Sequence, residues 1–387
     1  MHRIATIAPI VDQHAEDAAF LWLRRRREID GPIFGESDIG RIDQRLEANL
    51  EGLMAAGKAG WESAQAHFAD YAEPGELFVL GTVAMRWSDA KLVSSAIDAG
   101  ASLGEAGISS LSAAIARTPR ESLRPFVAQW LGTRDARLHC LGLSALWHHR
   151  VDPGPRLQDL VSHPDAAVRR RAVRLAGGLR RRDLLPAVLA SLDGETAKER
   201  LAAAFAACLL GEARSAHPVI DKNLVTETSQ MEAGIEIRLL TTPPNAAKAW
   251  LQTRLGQPQL RVAATASLGL FGDPSVMPWL IEKMREPELV FAAGLAMRDL
   301  FEVDFNDTNL FTIDPADLGK AFESLNDSPL PVADRVASWW DEGRAGRGHR
   351  PFHSMRRLRL DALRTAFAAT DTPLADWRRT RRFPAWL

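Results

Sequence analysis

The feature that most constrains this chain is a helical phrase that returns at intervals near 31 residues. Its clearest copy lies in HPDAAVRRRAVRLAGGLRRRDLLP, His163 to Pro186. With Asp165 as N-cap, Val168, Ala172, Leu175, Ala176 and Leu179 recur at i, i+4, i+7, i+8 and i+11, one face of a helix. His163-Pro164 precedes the cap and Gly177-Gly178 weakens the end. At about 100° per residue, Arg170, Arg174 and Arg181 fall opposite the apolar stripe, and Arg169 lies on its flank. That geometry reads the first three as a solvated polar face. A second amphipathic segment starts at Leu184, so the unit is helix–turn–helix.

The phrase is apolar-Arg, two residues, Ala, three residues, a small residue or Leu, then Gly. Val168-Arg169 fits it with Ala172 and Gly177, and Leu260-Arg261 fits it with Ala264 and Gly269. Worn copies are expected at Ala136-Arg137 with Cys140, at Ala202 with Ala206 and Gly211, near Ile237-Arg238, and at Leu289 with Ala293 and Met297. Second helices are expected over 125–130, 184–192, 246–255 and 276–284, with joins at Gly132-Thr133, Asp193-Gly194 and Gly272-Asp273-Pro274. One such pair cannot bury its stripe alone, whereas stacked pairs share a continuous core. The expected fold class is therefore all-α, an α-solenoid of short helical hairpins. A tetratricopeptide array would need recurring Trp-Leu-Gly-Tyr, and the chain has one tyrosine, Tyr71. An ankyrin array would need TPLH, which is absent.

The array, about Leu103 to Asp304, resembles HEAT repeats in their short bacterial form. The D-x-x-V-R phrase is complete only at Asp165 to Arg169, and Gln257 replaces the Asp in the Leu260 copy. The resemblance implies that Arg169 and Arg261 form a ladder of polar contacts between repeats.

The ends read differently. Residues 1–75 form a helical head, with one stripe from Val11, Ala15, Ala18, Ala19 and Trp22 and another from Ile42, Leu46, Leu50, Leu53 and Met54. Gly31-Pro32 separates the two helices and Asp38 can cap the second. The array proper spans 76–302. The stretch 303–331 is acidic and rich in Asn, Asp and Pro, which reads as a loop or insertion, and as a docking loop if functional. The final stretch, 332–387, reads as a basic helical cap. Between Gly343 and Leu387 eleven arginines and three aspartates give +8 in a chain of net charge −1, so the remainder is acidic.

The head carries the more specific likeness. His14, Glu16, Ala18, Ala19, Phe20, Leu21, Trp22 and Arg25 match a HxEEAAFLWxxR pattern. Arg41, Asp43, Arg45, Leu46, Ala48, Leu50, Gly52, Leu53, Ala56, Gly57, Gly60 and Trp61 match a second block. Asp17, Ile42 and Asn49 are mild departures. Together with VASWWDEGRAGRGHRPF and PLADWRRTRRFPAWL near the end, the chain resembles a proteobacterial HEAT-repeat family encoded beside type VI secretion genes. No activity is established for that family. The resemblance implies a cytoplasmic protein working with secretion effector or tip proteins. It also implies structural roles for His14, Phe20, Trp22, Arg41, Asp43, Arg45, Gly57 and Trp61.

Chemistry is not expected. Cys140 and Cys208 are isolated thiols in apolar stretches, with no CxxC. His14 and Asp17 share a helix face, but no HExxH or further ligand accompanies them. His139, His148 and His149 surround Trp147 without metal-ligand spacing. GxSxG and a Walker lysine are absent. No cofactor or metal is expected, and the protein reads as a non-enzymatic binder. MHRIATIAPIVDQHAED holds no signal-like apolar run, and the longest apolar run, Leu201 to Leu210, is too short to span a bilayer. A cytoplasmic location without membrane insertion is expected.

Eleven tryptophans are spread along the chain. Trp22, Trp130, Trp147, Trp250 and Trp279 read as core. The residues expected to meet a protein partner are Arg170, Arg174, Arg181, Trp339, Trp340, Arg356, Arg357, Trp377, Arg378 and Trp386, because Trp and Arg dominate binding hot spots. Two other classes compete. A HEAT-like nucleic-acid binder of the alkylpurine DNA glycosylase type needs a basic concave groove, and most of the surplus charge here sits in the tail. A bilin lyase is disfavoured by the head.

Overall fold

Helix covers most of the computed structural model, which describes residues 7–29, 33–34, 36–271, 273–325 and 328–344. Among the described residues the protein is all-α apart from one ladder of two-residue strands. Arg356, Arg357, Trp377, Arg378 and Trp386, expected to meet a partner, lie outside the described residues, as does the Gly31-Pro32 join. The described residues form two compact units, 7–187 and 188–344.

The first unit begins with α1 (Ala8–Glu28), α2 (Glu36–Ala55), α3 (Lys58–Tyr71) and α4 (Pro74–Trp87). It continues with α5 (Ala90–Gly100), α6 (Gly104–Ala116), α7 (Arg120–Trp130), α8 (Ala136–His149), α9 (Arg156–Val161) and α10 (Ala166–Gly178). The stripes read from the head are its buried faces: Val11, Ala15, Ala18, Ala19 and Trp22 on α1, and Ile42, Leu46, Leu50 and Leu53 on α2. Trp22 stacks on Phe78 of α4, with ring centroids 4.9 Å apart. Such a pair adds about 0.5–1.5 kcal/mol beyond the area it buries. The turn from α2 to α3 depends on two glycines. Gly57 sits at φ +61, where a side chain is strained. A Cβ on Gly60 would stand 2.0 Å from the Leu53 carbonyl oxygen, so α3 approaches α2 backbone to backbone. Helices α4, α6, α8 and α10 then pack in succession, each on the one before.

The second unit holds α11 (Leu185–Ala190, which straddles the division), α12 (Ala197–Leu209), α13 (Ala213–Asn223), α14 (Met231–Leu240) and α15 (Pro244–Leu255). It ends with α16 (Pro258–Ser267), α17 (Met277–Lys283), α18 (Val290–Phe301) and α19 (Ala333–Arg344). Here α12, α14, α16 and α18 pack in succession. The apolar run Leu201 to Leu210 is buried throughout, so it is an interior helix face. Among the described residues no helix is long and apolar enough to cross a membrane.

The N-caps of α8, α10, α12, α14, α16 and α18 are Asp135, Asp165, Thr196, Gln230, Gln257 and Leu289, at intervals of 30, 31, 34, 27 and 32 residues. Asp165 accepts from the Ala167 and Val168 amides, as a capping aspartate should. The structure corrects the register of several copies. In α12 the expected arginine place falls at Arg200, not near Ala202. Like Arg169 and Arg261 it stands four residues past its cap. In α8 that place belongs to His139, and Arg137 is held instead by the cap residue Asp135. Arg238 lies in the last turn of α14, not the first. Helix α13 was missed, because Pro218 inside it interrupts the pattern. Helix α7 starts five residues before Pro125 for the same reason. Asp38 lies within α2 and pairs with Arg41 at 2.6 Å instead of capping the helix.

The acidic stretch 303–331 builds a small apolar cluster against Val290 and Phe291 of α18. Strands β1 (Phe311–Thr312) and β2 (Leu330–Pro331) pair antiparallel, Phe311 opposite Pro331. Phe305, Leu310, Phe311, Phe322 and Leu330 are buried. Its aspartates order turns: Asp304 accepts from the Asn306 amide, Asp307 from Asn309 and Asp314 from Ala316.

Candidate functional site

The arginines of the α10 region do not form a solvated face. Arg174 is 8% exposed. Arg170 pairs with Glu105 at the start of α6. Arg181 pairs with Asp152 at 2.8 Å and Asp183 at 2.6 Å. Of the seven arginines between His163 and Pro186, only Arg182 is exposed. A helical wheel assigns polar residues to water, but α10 is also packed on α8 and α9, so its polar flank meets protein. Arg169 Nη1 donates to the carbonyls of His163 and Pro164, both at 2.8 Å. Arg200 repeats this on Gly194 and Glu195 and adds Asn223. Arg261 reaches onward, to Glu286 at 2.6 Å.

Trp340 is 8% exposed and Trp339 half-buried, and both rings lie against Phe301 of α18. They dock α19 rather than stand clear of it. Trp22, Trp130 and Trp250 are buried as expected, while Trp147 and Trp279 are only half-buried. Within the head, His14 Nδ1 lies 2.8 Å from Asn49 Oδ1, and Trp61 is buried. Arg41 and Arg45 are exposed. Phe20, at 58% exposed, belongs to no core.

One residue of the head pattern leads to a built site. Asp43 and Glu47 stand one turn apart on α2, beside its buried stripe. Asp43 pairs with Arg25 of α1 at 2.6 Å and with Arg117, the residue that ends α6. Glu47 takes Arg86 of α4 in a two-pronged pair, at 2.6 and 3.0 Å. Arg86 also donates to the Arg117 carbonyl at 2.9 Å, satisfying an acceptor that the end of α6 leaves open. Arg86 and Arg117 thus sit at the negative ends of α4 and α6. Glu47, Arg86, Ala116, Arg117, Thr118 and Pro119 line an open cleft of about 420 Å³. Asp43 and Arg25 were legible in the head pattern. Glu47, Arg86 and Arg117 were missed; the one local signal was an arginine after the largely apolar run Leu77 to Met85.

The second unit holds a related cluster. Asp221 of α13 accepts from the Trp250 indole N–H at 3.1 Å and pairs with Arg238 and Arg254, both at 3.3 Å. Both guanidiniums lie over the Trp250 ring, at 5.2 and 4.4 Å. Nearby His217 is pushed down to about 4, first by burial and then by Arg238. Its Nε2 meets Thr241 Oγ1 at 2.8 Å.

Neither thiol is suited to nucleophilic work. Burial raises the Cys140 thiol and lifts Cys208 to about 12. Among the described residues no His, Cys, Asp and Glu group is arranged to hold a metal. What the α2–α4–α6 cleft offers is fixed guanidinium donors. No family model, curated protein or solved structure matches the chain.

Proposed function

We propose that this chain is a non-enzymatic protein-binding scaffold built from HEAT-like helical pairs. The observation that carries the reading is the return of a first helix at a mean interval near 31 residues, from Asp135 to Leu289. Successive first helices stack within each unit, so each pair lends its neighbour the surface it needs to stay dry. Such stacks present rows of side chains on rigid helices, which suits holding another macromolecule. The narrower proposal follows from the resemblance of the head: a cytoplasmic accessory of a type VI secretion system, loading an effector or tip protein.

The test is affinity capture with the full chain from a proteobacterium that carries such a system, beside a chain lacking 343–387. Enrichment of a tip or effector protein, lost with the tail, is the expected result. Capture of nucleic acid in place of protein overturns the scaffold reading.

A further inference from the structure

Arg117 holds more donors than its neighbours can use. A guanidinium has five N–H groups. Nη2 meets Asp43, while Nη1 stands 3.9 Å from Glu47 Oε2, beyond hydrogen-bond reach. Among the described residues neither Nη1 nor Nε has a hydrogen-bond acceptor. The side chain is 20% exposed, and it lines the 420 Å³ cleft.

Two further features lead to the same ligand. Among the described residues Arg25, Arg86 and Arg117 pair with Asp43 and Glu47, three guanidiniums to two carboxylates. The cleft also borders the start of α7. Its first amides, Arg120 and Glu121, follow directly on Thr118 and Pro119, and Pro119 supplies no capping acceptor. Open amides at a helix start favour an anion.

The geometry points to a carboxylate-recognition site: the cleft takes one acidic side chain, Asp or Glu, from a segment of the partner protein. This rests on the scaffold reading and names the chemistry of what the scaffold holds. A carboxylate fits better than a phosphodiester chain on charge. A single carboxylate can take the open donors of Arg117, whereas successive phosphates would be set against Asp43 and Glu47. The volume lies in the range of small-ligand clefts, roughly 300–1,000 Å³. It admits a side chain with its flanking backbone.

The test uses the full chain and a fluorescein-labelled Gly/Ser peptide bearing a pair of glutamates, read by fluorescence polarisation. The same peptide with glutamines is the control, and a random single-stranded oligonucleotide is a third probe. The glutamate peptide is expected to bind at least about tenfold tighter than the glutamine peptide, and Arg117→Gln to remove that difference. Arg117→Gln also breaks the pair with Asp43. A second variant therefore leaves every ion pair in place: Ala116 is exposed and lines the cleft. Ala116→Trp fills the space and Ala116→Glu supplies a carboxylate from within, so each is expected to lose glutamate-peptide binding while melting like the parent. Equal binding of both peptides, unchanged binding by Ala116→Trp, or binding of the oligonucleotide alone overturns the proposal. Ala116→Trp that still captures the same partner protein as the parent sinks the cleft but leaves the scaffold standing. Parent chain that captures no protein removes the scaffold itself.

Discussion

Each unit contains a cluster in which guanidiniums outnumber carboxylates by one, and the surplus is met in different ways. In the second unit Asp221 serves Arg238 and Arg254, and the Trp250 ring lies against both cations. An aromatic face offsets part of a cation's charge when the pair is withdrawn from water. In the first unit Asp43 and Glu47 serve Arg25, Arg86 and Arg117. Among the described residues no aromatic ring lies against Arg86 or Arg117, and the space beside them is a cleft. The contrast teaches that surplus charge alone does not make a site. What matters is whether the fold has already spent it internally.

The largest expected effect tests the closed cluster. Trp250→Ala removes a buried ring from beneath two guanidiniums and is expected to cost about 3–5 kcal/mol in urea unfolding. A loss under about 1 kcal/mol would show that the ring is not what closes this cluster. Next, Asp221→Asn leaves two largely buried cations with one weak acceptor and is expected to cost about 2–3 kcal/mol. Asp43→Asn, in the more open cluster, is expected to cost about 1 kcal/mol. Equal losses at the two aspartates would erase the distinction drawn between them.

Acid sharpens the comparison further. The His217 pKa falls from an ordinary value near 6.5 to about 4 in the folded chain, so folding favours the neutral ring. The stabilisation is complete above pH 6.5 and is lost as pH falls toward 4, because the unfolded chain takes up the proton first. Allowing for partial exposure, the loss is on the order of 1–2 kcal/mol. Melting temperature measured across that window should fall in the parent and fall less in His217→Gln. Parallel curves would place the acid sensitivity elsewhere. The smallest effect is expected from Glu47→Gln, about 0.5 kcal/mol, since Glu47 is half-exposed and Arg86 keeps the Arg117 carbonyl. A loss as large as that of Asp221→Asn would mean the first cluster is as closed as the second.

Helices were legible in the sequence wherever their signals are local. Asp165 caps α10, and the head stripes from Val11 to Trp22 and from Ile42 to Leu53 are buried as a 3.6-residue period requires. Signals failed where a proline lies inside a helix, at Pro125 and Pro218. They also failed where the arginine of the repeat phrase was swapped, as at His139, or displaced, as at Arg238. The site was half visible: Asp43 and Arg25 lie in a pattern read from the head, but their meaning depends on Arg117, 74 positions beyond Asp43.

Burial of charge was the least legible property. Arg174 sits opposite a clean apolar stripe, and a single helix seen alone assigns it to solvent. Trp340 next to a basic tail reads as an exposed anchor, yet its ring lies on Phe301.

The Asp165 cap and the apolar stripes of the head came from the chain alone, because each is decided by residues a few helical turns apart at most. Which arginines are covered, which carboxylate each one meets, and where a cleft is left between them were decided only when α1, α2, α4 and α6 packed together. Electrostatic pairing acts between side chains brought close in space from distant positions in the chain, and no interval along the sequence encodes that closeness.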